Sequence, residues 1–144
     1  MRVDFYQLSR DPVETVIPLL ARATHKAGER LLVVSGDDAQ RERIGRGLWS
    51  MPGTFLANGQ AGGADDAKQP VLVSSEPDPA NGAAYVALAD GIWRDRAMDF
   101  VRTFLIFDQE TVAAARKVWV QLRDHEGTER HFWKQDGGRW IEAG

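Results

Sequence analysis

Arg116, Trp119 and Arg123 are the residues whose types and spacing best define a chemistry. In a helix, at about 100° per residue, the three fall within roughly 60° of one another, while Ala115, Val118 and Leu122 form an adjoining apolar stripe. One stripe anchors a core. The other offers an indole between two guanidinium groups. Guanidinium forks pair with carboxylates and an indole packs on an apolar side chain, so this face suits a protein partner that presents a carboxylate beside a hydrophobic group. The same spacing equally describes a core tryptophan flanked by solvated arginines, and both stay open on spacing alone.

Catalytic arrangements are hard to assemble from the remaining residues. The chain has no cysteine, which removes thiol catalysis, disulfide frameworks and cysteine metal sites together. His125-Glu126 opens like a zinc-protease motif, but the next histidine, His131, comes six residues later and across Gly127, so the two cannot share one helical face. Asp37-Asp38 suits helix capping and Asp65-Asp66 a solvated loop better than either suits Mg²⁺. No G-x-S-x-G elbow occurs, and His25 sits near a helix end with no partner readable from sequence. No catalytic residue, cofactor site or metal site is therefore expected.

At 144 residues and 16.0 kDa the chain has the size of one domain with one substantial core. Its net charge of −3 disfavours neutralising many phosphates over a wide surface, so contact with DNA is expected to be mainly indirect. The N-terminus lacks the apolar run of a signal peptide and no window reaches the length of a spanning helix, so a cytoplasmic location without a membrane partner is expected.

Strand and helix patterns alternate. Val3–Leu8 is a strand, and Val13–Ala27 a helix with an awkward interior Pro18, ended by Gly28. The continuous run in Arg30–Ser35 marks a strand buried on both faces, followed by a helix capped at Gly36-Asp37-Asp38 that carries Ile44, Leu48 and Trp49. Asn58–Pro70 is glycine-rich without apolar periodicity and reads as a mobile loop. Val71–Ser75, Tyr85–Ala89 and Thr103–Phe107 are strands, Asp90–Phe100 has helical character, and Gln109 to about Arg123 is the last helix. Glu129–Gln135 reads as an edge strand. The expected organisation is a single α/β domain over residues 1–136 with a short tail, 137–144.

Such alternation argues for an open, mostly parallel sheet flanked by helices, with room for an antiparallel edge, in a mononucleotide-binding-like (Rossmann-like) arrangement. The phosphate cradle of that fold should follow the first strand. Leu8-Ser9-Arg10-Asp11-Pro12 stands there instead. It has no glycine, a proline that lacks an N–H, and an aspartate that repels anions, and no GxxxxGK[ST] occurs anywhere. The fold is expected without the phosphate loop.

Phe5-Tyr6-x-Leu8, the acidic start Gly36-Asp37-Asp38-Ala39-Gln40, the pair Leu48-Trp49, Thr54-Phe55-Leu56 before a Gly-rich loop, Pro70-Val71-Leu72-Val73, and Arg116-x-x-Trp119-x-x-x-Arg123 follow one another in an order that resembles the chi subunit of bacterial DNA polymerase III, a clamp-loader accessory protein. The resemblance runs from Val3 to about Lys134. It implies a non-catalytic replisome adaptor that binds the acidic C-terminal tail of single-stranded DNA-binding protein and joins the clamp loader through the psi subunit. Carried over, Arg116 and Arg123 would meet tail carboxylates, Trp49 and Trp119 would line the pocket for the tail's terminal Phe, and Phe55 would face psi. Two departures stand out. Val112 lies one turn before Arg116, where a basic residue is found in the family, and Lys117 compensates only in part. After Phe55 the chain reads Leu56-Ala57-Asn58-Gly59 rather than the family's Pro-His type of sequence. Two alternatives remain: a nucleotide-dependent α/β enzyme, and direct single-strand binding with Trp49 or Trp119 stacked on bases.

Overall fold

Leu31–Val34 is apolar at every position and wholly buried, as a strand covered on both faces of a parallel sheet must be. It lies within an eight-stranded sheet. The computed structural model describes residues 1–9, 11–50, 57–136 and 139–143. In chain order the elements are β1 (Arg2–Gln7), α1 (Val13–Lys26), β2 (Leu31–Val34), α2 (Asp38–Trp49), β3 (Asn58–Gln60), β4 (Val71–Ser74), β5 (Tyr85–Leu88), β6 (Arg102–Phe107), α3 (Val112–Arg123), β7 (Glu129–Asp136) and β8 (Arg139–Glu142). Short 3₁₀ helices occupy Asp66–Lys68 and Asp95–Asp99.

The strand order is β3-β4-β2-β5-β6-β1-β7-β8, parallel throughout except for the antiparallel β7–β8 pair. The α/β class, the mostly parallel sheet and its antiparallel edge agree with the sequence patterns. Right-handed crossovers then dictate which face each helix covers, because connections running one way across the sheet lie on one face and those running back lie on the other. Apolar residues of α1 and α2 pack in one cluster with Leu31, Val33, Val71 and Val73. Ala115, Val118 and Leu122 of α3 pack in the other, with Phe5, Leu32, Val34 and Phe107. Helices α1 and α2 approach closely because Gly47 has no side chain, and a Cβ there would sit 3.1 Å from the Glu14 carbonyl.

Four segments differ from the sequence expectation. Asp90–Phe100 is a loop with only the 3₁₀ turn at Asp95–Asp99, because Asp90 spends its carboxylate on the Gly36 and Ile92 amides and on Arg94 rather than capping a helix. Gly91 holds φ at +73°, and a Cβ there would come within 2.7 Å of the Thr111 hydroxyl. Asn58–Pro70 carries β3 and a 3₁₀ turn, with Asp66 accepting from the Gly62 and Gly63 amides. Glu129–Asp136 is second from the edge, since the segment read as a tail supplies β8. Trp140 fixes that strand by meeting Tyr6 edge to face, with centroids 4.8 Å apart.

Candidate protein-binding surface

Helix α3 begins at Val112 rather than near Gln109 because the Asp108 carboxylate accepts from the Glu110 and Thr111 amides, forming a turn ahead of the helix. Its buried stripe is Ala115, Val118 and Leu122, as the apolar spacing requires. Arg116, Lys117, Val120 and Arg123 are exposed. Among the described residues Arg123 pairs with its neighbour Asp124 at 3.6 Å, with both side chains largely in water, where such pairs contribute little.

Trp119 is half-buried and belongs to both stripes. Its ring meets Phe5 edge to face at 5.1 Å and Phe132 at 5.7 Å, which seats the indole against β1 and β7. Arg130 of β7 completes the setting. Its guanidinium carbon lies 4.1 Å from the Trp119 ring centroid, and Nη1 donates to the Trp119 carbonyl at 2.7 Å. No carboxylate among the described residues pairs with Arg130. Sequence reasoning passed over this cation because it sits in a strand, although the period-two alternation of Arg130 and Phe132 was there to be read.

Arg116, Trp119 and Arg123 thus share one flank of α3, and the structure adds Arg130 to them. It does not bring Trp49 there. Trp49 ends α2, half-exposed, and α2 packs on the opposite face of the sheet from α3. Among the described residues the two tryptophans stand apart, because the crossovers that carry α2 (β2 to β3) and α3 (β6 to β7) lie on different faces of the sheet. Phe55 lies outside the described residues.

A cleft of about 520 Å³ opens at the carboxyl ends of β1 and β6, where neighbouring connections depart to opposite faces. This is the place where doubly wound sheets bind nucleotides. Here it is lined by Asp11, Glu14, Asp90, Asp108 and Glu110, with no cation among its described lining residues. The helix starts offer no cradle either: Pro12 has no N–H to give, and the amides before α3 are already bound to Asp108. Burial would lift the Asp90 carboxyl, but hydrogen bonds from Arg94 and from the Gly36 and Ile92 amides outweigh it and hold it below the usual carboxylate range. The described lining is therefore acidic: Glu14 is paired with Arg43 and Asp90 with Arg94, while Asp11, Asp108 and Glu110 have no ion pair among the described residues. Among the described residues, no three His, Asp or Glu side chains gather to hold a metal ion.

Two further polar groups organise the other face of the sheet, the α1 side. Asp4 is wholly buried on β1 and accepts from Arg2 (3.0 Å), Arg102 (2.8 Å) and the Trp133 indole (3.0 Å), tying β1, β6 and β7 together. Burial, then the Asp4 charge, push the neighbouring Tyr6 hydroxyl up to about 12, so it stays neutral. On β7, His131 lies between Glu142 (2.5 Å) and Glu129 (2.7 Å).

A doubly wound α/β sheet with an acidic switch point, no phosphate loop, and an exposed arginine–tryptophan helix flank defines a scaffold of nucleotide-binding type without the nucleotide loop. The chain belongs to the DNA polymerase III chi subunit family. The family model described as DNA polymerase III chi subunit, HolC, matches residues 1–129 of the 144. Membership makes the protein an accessory subunit of DNA polymerase III. No curated protein matches the chain.

Proposed function

We propose that this subunit is a non-catalytic adaptor whose α3 flank binds the acidic C-terminal tail of single-stranded DNA-binding protein, and which links that protein to the clamp loader through psi. The observation that carries this is the pair Arg116 and Arg123, exposed on either side of a half-seated Trp119. Arginines meet tail carboxylates, and the rim of the indole meets an apolar terminal residue. The cleft at the switch point is acidic in its described lining, which counts against nucleotide-dependent chemistry there. Base stacking is also poorly served, because one face of Trp119 is covered by Arg130 and the ring meets Phe5 and Phe132 edge to face.

A tail that orders around a few anchors and must release quickly fits micromolar affinity, about −8 kcal/mol. The test is fluorescence polarisation of a labelled acidic peptide ending in Phe, titrated with wild type and Arg116→Ala. Binding that weakens roughly three- to tenfold in the variant, with the far-ultraviolet spectrum unchanged, supports the adaptor role. No wild-type binding at low salt refutes it, and a melting temperature raised by nucleotide with Mg²⁺ would restore the enzyme alternative.

A further inference from the structure

The two faces of the β7–β8 hairpin carry opposite charge. Strand alternation puts Glu129, His131 and Trp133 on the α1 side, where Trp133 and Trp140 join the first core cluster, and Glu142 stands opposite Trp133 in register. Arg130, Phe132 and Lys134 consequently share the α3 side, and Ile141, opposite Lys134 in register, joins them. Trp119 leans on Phe132 and Arg130, so the flank of α3 that carries Arg116 and Arg123 faces this strip. Beyond that flank no described helix covers β7 and β8, and Ile141 is 46% exposed.

We infer that this strip is the second wall of the tail site: an acidic peptide lies along the groove between α3 and the hairpin, its carboxylates on Arg130 and Lys134 and an apolar side chain on Ile141. The inference rests on the tail-binding role proposed for α3 and extends it past residue 129, where the family match stops. Charge complementarity selects the occupant. Arg116, Arg123, Arg130 and Lys134 border the groove, the hairpin's glutamates lie on the other face, and Asp136 sits at the far end, opposite Arg139 in register. Arg130 is the anchor, since its stack on Trp119 and its bond to the Trp119 carbonyl fix the guanidinium while leaving further N–H groups for a carboxylate.

The experiment titrates the labelled acidic peptide ending in Phe with the full chain and with three charge-matched variants: Lys134→Glu on the hairpin, Arg116→Glu on the groove side of α3, and Arg22→Glu, exposed on α1 across the sheet. Circular dichroism checks folding. Lys134→Glu and Arg116→Glu are each expected to weaken binding about tenfold, and Arg22→Glu less than about twofold because screening mutes a distant charge. If Lys134→Glu behaves like Arg22→Glu while Arg116→Glu still loses binding, the hairpin wall is refuted and the α3 role stands. If wild type fails to bind, or all three variants fall equally, both are refuted. Displacement of the peptide by an oligodeoxythymidylate of equal length, sensitive to Lys134→Glu, would assign the groove to nucleic acid and overturn the inference.

Discussion

Removing the indole of Trp119 should cost stability as well as binding, and a double-mutant cycle with Arg130 separates the contributions. Trp119→Leu loses two edge-to-face pairs, to Phe5 at 5.1 Å and to Phe132 at 5.7 Å, each worth about 0.5–1.5 kcal/mol, and part of its apolar burial, for a total near 2–3 kcal/mol. Arg130→Met keeps the aliphatic stem but loses the hydrogen bond to the Trp119 carbonyl, about 1 kcal/mol, and the stack on the ring. The carbonyl bond survives in Trp119→Leu because its acceptor is backbone, so it cancels in the cycle. What remains is the guanidinium–indole interaction, expected at about 0.5–1 kcal/mol for a half-buried pair. Urea unfolding followed by far-ultraviolet circular dichroism measures all four proteins without relying on tryptophan emission. A coupling within about 0.3 kcal/mol of zero would show that Arg130 does not rest on Trp119 in solution, and would remove the anchor from the proposed groove. It also follows that Trp119→Ala by itself is a poor test of binding, whereas the exposed Arg116 is a clean one.

Asp4→Asn leaves Arg2 and Arg102 facing a neutral amide. Their side chains are 35% and 27% exposed and reach water, so a loss of about 2–3 kcal/mol is expected rather than the full cost of a stranded buried charge, and denaturant unfolding giving under about 1 kcal/mol would refute the role of Asp4 as the tie among three strands. Hydrogen bonds to Glu142 and then Glu129 hold the His131 pKa above its ordinary value of 6.5. Its folded-state pKa being the higher one, the stabilisation is complete below pH 6.5 and fades as pH rises through the raised value. An NMR titration of His131 should show the shift in wild type and a smaller one in Glu142→Gln; identical midpoints would refute the β7–β8 latch.

Local chemistry was legible wherever neighbours in sequence decide the outcome. The run Leu31–Val34 announced a strand buried on both faces, and the Asp37 carboxylate accepts from the Ala39 and Gln40 amides as a capping residue should. The spacing of Ala115, Val118 and Leu122 fixed which side of α3 is buried and therefore which side carries Arg116 and Arg123. The absence of a phosphate loop after β1 was equally plain, since it depends on five consecutive residues. By contrast, nothing in sequence near Asp90 foretells that its carboxylate is used by Gly36 and Arg94, so a helix was expected where a loop stands.

What only the tertiary structure decided is which distant residues meet. Trp49 and Trp119 stand on helices that handed crossovers place on opposite faces of the sheet, a consequence of strand order that no local pattern encodes. Arg130 reaches Trp119 because β7 lies beside β1, and β8 exists because Trp140 finds Tyr6, more than a hundred residues away in sequence. Periodicity fixes the faces of an element from its own side chains, but the partner of each face is chosen by burying apolar area across the whole chain, and that choice exists only once the sheet has closed.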